Sequence, residues 1–418
     1  MRKLISSLVF CSATATAASA GAVTSPVLIV PGDGSNQLEA KLDKPSVTHL
    51  WCDKKADWFR LWLSTAELLV PTALDCWCDN IRLAYDATTD ALTNAPGVSV
   101  RAPDFGGTSS LEELDPSVPF SATAVFKPMV DALVGMAGRG YARNSTVRGA
   151  PYDFRYAPTT DTGFGDNLRA LIEATSAAQG GAKLTLVSHS MGCLQTQHFL
   201  ASQTPEWKAA HVARWVAISG PYGGANSLLR LHASGDAEGL PGVKATTIRA
   251  EQRSYETNLW MLPQPAVWGA DEALARIGTA KPNTAVNYSA AQLEGFLAAV
   301  GYGDGPALLR RVGALRAAWN ATPGVETHCL YSTGVATPRS FAWASDTDFD
   351  AQPVVSNGDG DGTVCVESLR VCEGWVGAQA EPVTVKTFSG VKHADMVKDA
   401  GVIAYLQSLL ISGCARDW

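Results

Sequence analysis

The stretch that most constrains this chain is Leu184-Thr-Leu-Val-Ser-His-Ser-Met-Gly-Cys193. The apolar run at 184–187 reads as a buried strand and residues 193–203 as a helix, so only Ser188-His-Ser-Met-Gly192 remains for the turn between them. A serine at the tip of so sharp a strand-to-helix turn is the pattern of a nucleophile elbow. Small residues two before and two after it, here Ser188 and Gly192, let strand and helix approach closely. Taken alone, small-x-Ser-x-Gly is an ordinary turn more often than a catalytic one; the flanking strand and helix give it weight.

A serine hydroxyl is a weak nucleophile and needs a base, an orienting carboxylate and donors for the oxyanion formed on attack. In the α/β-hydrolase architecture the order along the chain is Ser, then Asp or Glu, then His. Of seven histidines, only His393 follows the acidic cluster Asn357-Gly-Asp-Gly-Asp-Gly-Thr363, so it is the base by elimination. Asp361 is taken as the carboxylate, with Asp359 as the alternative. The same cluster imitates the start of a calcium-binding EF-hand loop, but the twelfth position is Ser368 rather than Glu, and the flanks look extended. The oxyanion N–H groups are assigned to Met191, the residue after the serine, and to the main chain of Asp33, in the Gly-rich loop after an early strand at 26–30.

A wider set of residues carries a family resemblance. Pro31-Gly-Asp, Asn36-Gln-Leu-Glu-Ala-Lys-Leu-Asp-Lys-Pro45, Asp75-Cys-Trp, Asp79-Asn-Ile-Arg-Leu83, Asn94-Ala-Pro-Gly97, Arg148-Gly-Ala-Pro-Tyr-Asp153, Glu251-Gln-Arg253, Cys329-Leu-Tyr331 and Gly360-Asp-Gly-Thr-Val364 resemble the lecithin:cholesterol acyltransferase family, and within it the lysosomal phospholipase A branch. The resemblance covers nearly the whole chain after residue 20. It implies Ser190, Asp361 and His393 as the triad, with Asp33 and Met191 at the oxyanion, no cofactor and no metal. It also implies two disulfides, Cys52 with Cys76 and Cys329 with Cys372. Cys193 reads as a buried thiol near the site; Cys78, Cys365 and Cys414 stay unassigned. Two departures stand out: Ser188 replaces Gly or Ala, and Ser219-Gly-Pro-Tyr-Gly-Gly224 replaces Gly-Ala-Pro-Trp-Gly-Gly, which would place Tyr222 at the mouth of the pocket.

Residues 1–20, with Arg2 and Lys3 before an apolar run and Ala18-Ser-Ala20 behind it, read as a secretory signal peptide. Residues 21–418 read as one α/β-hydrolase domain, since no linker or repeat divides them. Without Arg2 and Lys3, 31 basic residues face 40 acidic ones, a net charge near −9. That balance argues against nucleic acid and leaves membrane contact to apolar side chains. Two excursions interrupt the domain. Residues 46–80 are dense in Trp and Leu, which suits a core helix or a membrane-binding element. The resemblance favours the second, with Trp58, Phe59, Trp62, Leu68 and Leu69 as contacts and Trp62 as the main anchor. Residues 223–325 read as a cap with a lid. Three sequons, at Asn144, Asn287 and Asn320, predict exposed, glycosylated loops.

The expected function is a serine-dependent phospholipase A and O-acyltransferase, passing an acyl group from a glycerophospholipid to water or a lipid alcohol. It would work at a membrane or lipoprotein surface, either secreted or in a lysosome-like compartment; protein partners are unknown. A phosphatidylcholine-sterol acyltransferase and a non-catalytic lipid-binding protein are the alternatives.

Overall fold

Six short segments rich in β-branched residues pair side by side: β1 (Val27–Val30), β2 (Val147–Gly149), β3 (Leu184–His189), β4 (Val212–Ile218), β5 (Thr327–Thr333) and β6 (Val383–Ser389). Their order in space is β6-β5-β4-β3-β1-β2, and every pairing is parallel. The structure is a computed structural model describing residues 25–237, 242–281 and 283–412; the predicted leader at 1–20 and Cys414 lie outside them. The runs β1 and β3 are buried throughout, as strands covered on both faces must be. Because side chains alternate along a strand, Leu28, Val30 and Leu186 join one apolar cluster while Val27, Ile29 and Val187 join the other. The chain leaves β1 for β2 on one side and returns to β3 on the other. The crevice outside the ends of β1 and β3 is therefore the topological switch point, where α/β sheets hold ligands.

The apolar spacing of Leu168, Leu171 and Ile172 predicts a helix over 165–178, and one forms at Phe164–Ala178, burying these residues and Thr175. The sequence predicts a closing helix over about 396–411, and it starts later, at Ala400. Residues His393–Asp395 take a 3-10 turn instead, and the Asp399 carboxylate accepts the N–H groups of Gly401 and Val402 as a side-chain cap.

The first excursion is a three-stranded antiparallel sheet with Leu38–Asp43 between Lys55–Trp62 and Val98–Arg101, followed by helices Thr65–Leu69 and Pro71–Ile81. The Cys52–Cys76 disulfide spans a Cα–Cα distance of 5.4 Å and ties the loop before the second strand to the second helix. The residues expected to meet a membrane are divided. Leu68 is buried. Trp62 is half-buried, tilted against Trp77 and edge-on to Phe154, with its indole N–H donating to Gly34 O at 2.7 Å. Phe59 is half-buried, and the Arg101 guanidinium lies 4.1 Å over the Trp58 ring. The physical reason is that residues 55–62 form a strand, which cannot present Trp58, Phe59, Leu61 and Trp62 on one face. Of the expected contacts, Leu69 (51%) and Trp58 (37%) are exposed, and Leu50 (100%), Trp51 (62%) and Val70 (47%) add exposed apolar surface that was not expected. The indole of Trp51 donates to Thr72 O, so these residues share a neighbourhood.

The second excursion, 223–325, contains helices Ser227–Ser234, Ala245–Ser254 and Glu256–Trp260, strands Ala275–Ile277 and Val286–Tyr288, and helices Leu293–Ala299 and Gly305–Arg311; residues 238–241 lie outside those described. It does not end cleanly at 325. Ala275–Ile277 pairs with Thr337–Trp343, which pairs with Val354–Gly358. This sheet anchors the cap directly to the loop carrying Asp359 and Asp361.

Candidate active site

Ser190 follows β3 with φ 54° and ψ −130°, a strained conformation held by a hydrogen bond from its N–H to Ile218 O at 2.9 Å. The helix Met191–Ser202 begins at once, so the Met191 N–H is one of those without an intrahelical acceptor. The close approach requires Gly192: a Cβ there would lie 2.5 Å from Val30 O and 2.3 Å from Pro31 O.

Three chain-distant side chains converge. His393 Nε2 lies 2.8 Å from Ser190 Oγ, and His393 Nδ1 lies 2.7 Å from Asp361 Oδ2. The other carboxylate oxygen of Asp361 accepts the N–H groups of Val364 (2.8 Å) and Thr363 (3.1 Å). Burial works against the charge on Asp361, yet the facing His393 and these hydrogen bonds hold its carboxyl below the ordinary value. An ionised Asp361 makes Nδ1 the protonated nitrogen of His393 and leaves Nε2 free to take the serine proton. Asp359 reaches no histidine; its carboxylate accepts the N–H groups of Gly334 and Gly360 and shapes the loop. The His393 N–H donates to Asp361 O at 2.8 Å, which joins the two loops by their backbones. The Cys329–Cys372 disulfide, with a Cα–Cα distance of 6.4 Å, pins β5 to the turn that follows the Asp361 loop.

His189, within the elbow motif itself, is a supporting residue that sequence reasoning passed over. It is buried, its Nε2–H donates to His393 O at 3.0 Å, and the two rings sit 4.8 Å apart. Burial and the neighbouring His393 push its pKa down to about 3, so it stays neutral. The only signal for it in the chain was its place beside the nucleophile.

The loop after β1 crosses the elbow at Gly32, where a Cβ would lie 2.8 Å from Ser190 Cβ and 3.1 Å from His189 O. The next residue, Asp33, is exposed and lines an open cavity beside the elbow. Desolvation there raises its carboxyl to about 7 against a hydrogen bond from the Gly34 N–H.

Ser188 proves to be more than a small residue. Its hydroxyl accepts the indole N–H of the fully buried Trp215 at 2.7 Å. Ser188→Ala would strand that donor, and we expect a stability loss of about 1–3 kcal/mol in denaturant melts with little change in kcat. Cys193 is a buried free thiol, as expected, and burial pushes it up to about 12. Cys78 and Cys365 are also free. Tyr222 is not at a pocket mouth: it is enclosed, edge-on to Trp375 at 4.9 Å, because Gly223 and Gly224 pack directly behind it against Ser368 and Leu262. The three sequon asparagines, Asn144, Asn287 and Asn320, are all exposed.

A parallel sheet with a serine elbow at its switch point, a histidine from the loop after β6 and an aspartate from the loop after the strand Val354–Gly358 make this an α/β hydrolase. The lecithin:cholesterol acyltransferase family model matches residues 58–298 and 310–400, and the chain belongs to that family. It is 42% identical over 387 residues to the lysosomal phospholipase A and acyltransferase of Canis lupus familiaris, covering 92% of this chain and 91% of that one. It is 41% identical to the Homo sapiens protein of the same name, covering 92% and 90%. The phosphatidylcholine-sterol acyltransferase of Mus musculus is 35% identical over 389 residues, covering 93% and 85%. Among solved structures, a chain of the Tle4-Tli4 complex shares the fold, with TM-score 0.52 at 14% identity over 94% of this chain and 99% of that one. The resemblance seen in the motifs and the expected fold class therefore both hold.

Proposed function

We propose that this protein is a phospholipase A and O-acyltransferase that removes a fatty acyl group from a glycerophospholipid and passes it to water or a lipid alcohol. The observation that carries the reading is the hydrogen-bonded chain Ser190–His393–Asp361 in a protein so similar to phospholipase A and acyltransferase relatives. His393 takes the Ser190 proton as the serine oxygen attacks the ester carbonyl. The N–H groups of Asp33 and Met191 receive the negative charge on the carbonyl oxygen. His393 then protonates the departing lysophospholipid. Water or a lipid hydroxyl, deprotonated by the same histidine, attacks the acyl-enzyme and restores Ser190.

The protein works as an exported enzyme at a lipid surface, and among the described residues no helix is long and apolar enough to cross a membrane. Its contact is the patch of Leu50, Trp51, Leu69 and Val70. Trp51→Ala and Leu69→Ser are expected to lower turnover on liposomes about tenfold while sparing a soluble short-chain ester. Trp62→Ala should impair both, since that ring supports the oxyanion loop.

The reading is tested with phosphatidylcholine liposomes carrying a labelled acyl chain and either ceramide or a sterol. Label in fatty acid or in an acylated alcohol, lost in Ser190→Ala, supports it. Transfer chiefly to sterol would favour the phosphatidylcholine-sterol acyltransferase reading, for which the 35% identical relative is the support. Lipid binding without any turnover would leave a binding protein.

A pH dependence follows from Asp33. Protein atoms crowding its carboxyl raise its pKa to about 7, so its ionisation falls in the neutral range. Its ionised form also sets a negative charge beside the developing oxyanion. Activity is expected to decline as pH rises through about 7, and Asp33→Asn, which keeps the backbone N–H, should retain activity to higher pH. An unchanged profile in Asp33→Asn would remove this residue from the pH response.

A further inference from the structure

Beyond Gly32, the oxyanion loop forms one wall of a cavity of about 130 Å³. Trp62, Trp77, Phe154 and Tyr255 supply an aromatic lining, and Asp33 and Glu251 place two carboxyl groups in it. The rings form one wall: Trp62 to Trp77 at 6.2 Å, Trp62 to Phe154 at 5.9 Å and Phe154 to Tyr255 at 6.4 Å between centroids. Both indole N–H groups are already committed, Trp62 to Gly34 O and Trp77 to Leu61 O, each at under 3 Å. The tryptophans thus offer a ligand only π-faces and edges. Glu251, on the helix Ala245–Ser254, is buried and takes a hydrogen bond from the Tyr255 hydroxyl. Among the described residues, no Lys or Arg lines this cavity.

These features select the occupant. A phosphate would meet two carboxyl groups and no cation. An acyl tail would fit the rings but offers neither carboxyl group a polar or charged contact. An alkylammonium satisfies both surfaces at once, since aromatic faces attract cations and a buried carboxylate is stabilised by an opposite charge. We propose that this cavity is the subsite for the ammonium group of a zwitterionic phospholipid headgroup, choline or ethanolamine, seated beside the oxyanion loop while the ester lies at Ser190. The proposal rests on the phospholipid reading above and names which headgroup that site takes.

Two measurements separate the subsite from that reading. The first compares kcat/KM for monomeric short-chain phosphatidylcholine and phosphatidylglycerol of equal chain length, which removes surface-charge effects. Wild type should favour phosphatidylcholine, and in Glu251→Gln that preference should fall about tenfold. The second, by saturation-transfer NMR, follows the trimethylammonium protons of hexylphosphocholine, with hexyl phosphate as the comparison. Those protons should receive saturation from wild type and lose it with Glu251→Gln. A preference unchanged in a folded Glu251→Gln, or an equal fall for both lipids, overturns the subsite while the phospholipid reading stands. A change in chain-length preference instead of headgroup preference in Trp77→Leu would assign the cavity to an acyl tail and likewise overturn it. Glu251-dependent binding of hexylphosphocholine without turnover of either lipid would sustain the subsite and sink the phospholipid reading.

Discussion

Replacing Asp361 by asparagine is expected to lower ester turnover about 10⁴-fold while leaving the fold intact. The reason is the tautomer. Asp361 Oδ2 accepts from His393 Nδ1 at 2.7 Å, and an amide in its place can present its NH₂ there, leaving the proton on Nε2 where the serine proton must go. Asp359→Asn is the matched comparison, two residues away in the same loop. Its carboxylate holds the Gly334 and Gly360 N–H groups and touches neither His393 nor Ser190, so its loss should loosen the loop and lower the melting temperature far more than kcat. Turnover of a soluble ester, read beside circular dichroism for both variants, decides the assignment. Equal losses of kcat in the two would mean the loop's shape, not a single carboxylate, is what matters.

Gly32→Ala should cost about 10²–10³ in kcat, the effect of removing one oxyanion donor. The added methyl would sit 2.8 Å from Ser190 Cβ and 3.1 Å from His189 O, so the loop must draw back from the elbow. The Asp33 N–H, the proposed oxyanion donor, then moves away from the position of the substrate carbonyl, and shifts of that size at a reacting centre cost rate rather than binding alone. Gly192→Ala makes the contrast: its methyl meets only the backbone oxygens of Val30 and Pro31, at 2.5 and 2.3 Å, where nothing flexible can yield. That variant is expected to lose stability and soluble expression, whereas Gly32→Ala should fold and be slow. A Gly32→Ala protein with wild-type kcat would show that the loop's donor is not used.

The sequence by itself determined the parts that rest on contiguous residues. The elbow around Ser190 was legible because an apolar run, a small-residue turn and a helix are local patterns, and the buried strands β1 and β3 and the helix Phe164–Ala178 appeared where periodicity put them. His393 was legible by chain order alone. The disulfides came from family resemblance, since eight cysteines after residue 20 can pair in too many ways for spacing to choose.

The sequence, with the family resemblance behind it, already favours Asp361 over Asp359; only the tertiary structure gives the physical reason, a histidine 32 residues further on that meets Asp361 and not Asp359. It likewise turned Trp62 from an expected membrane anchor into a wall of the site, since a tryptophan's composition says nothing about which side of a strand it faces. It gave His189 its place under His393 and Ser188 its bond to Trp215. It enclosed Tyr222 and tied the cap into a sheet with residues 337–358. In each case the deciding contact is between residues far apart in the chain, and its free energy exists only once packing has brought them together. Local patterns name the chemistry a residue can do; the fold selects which residue does it.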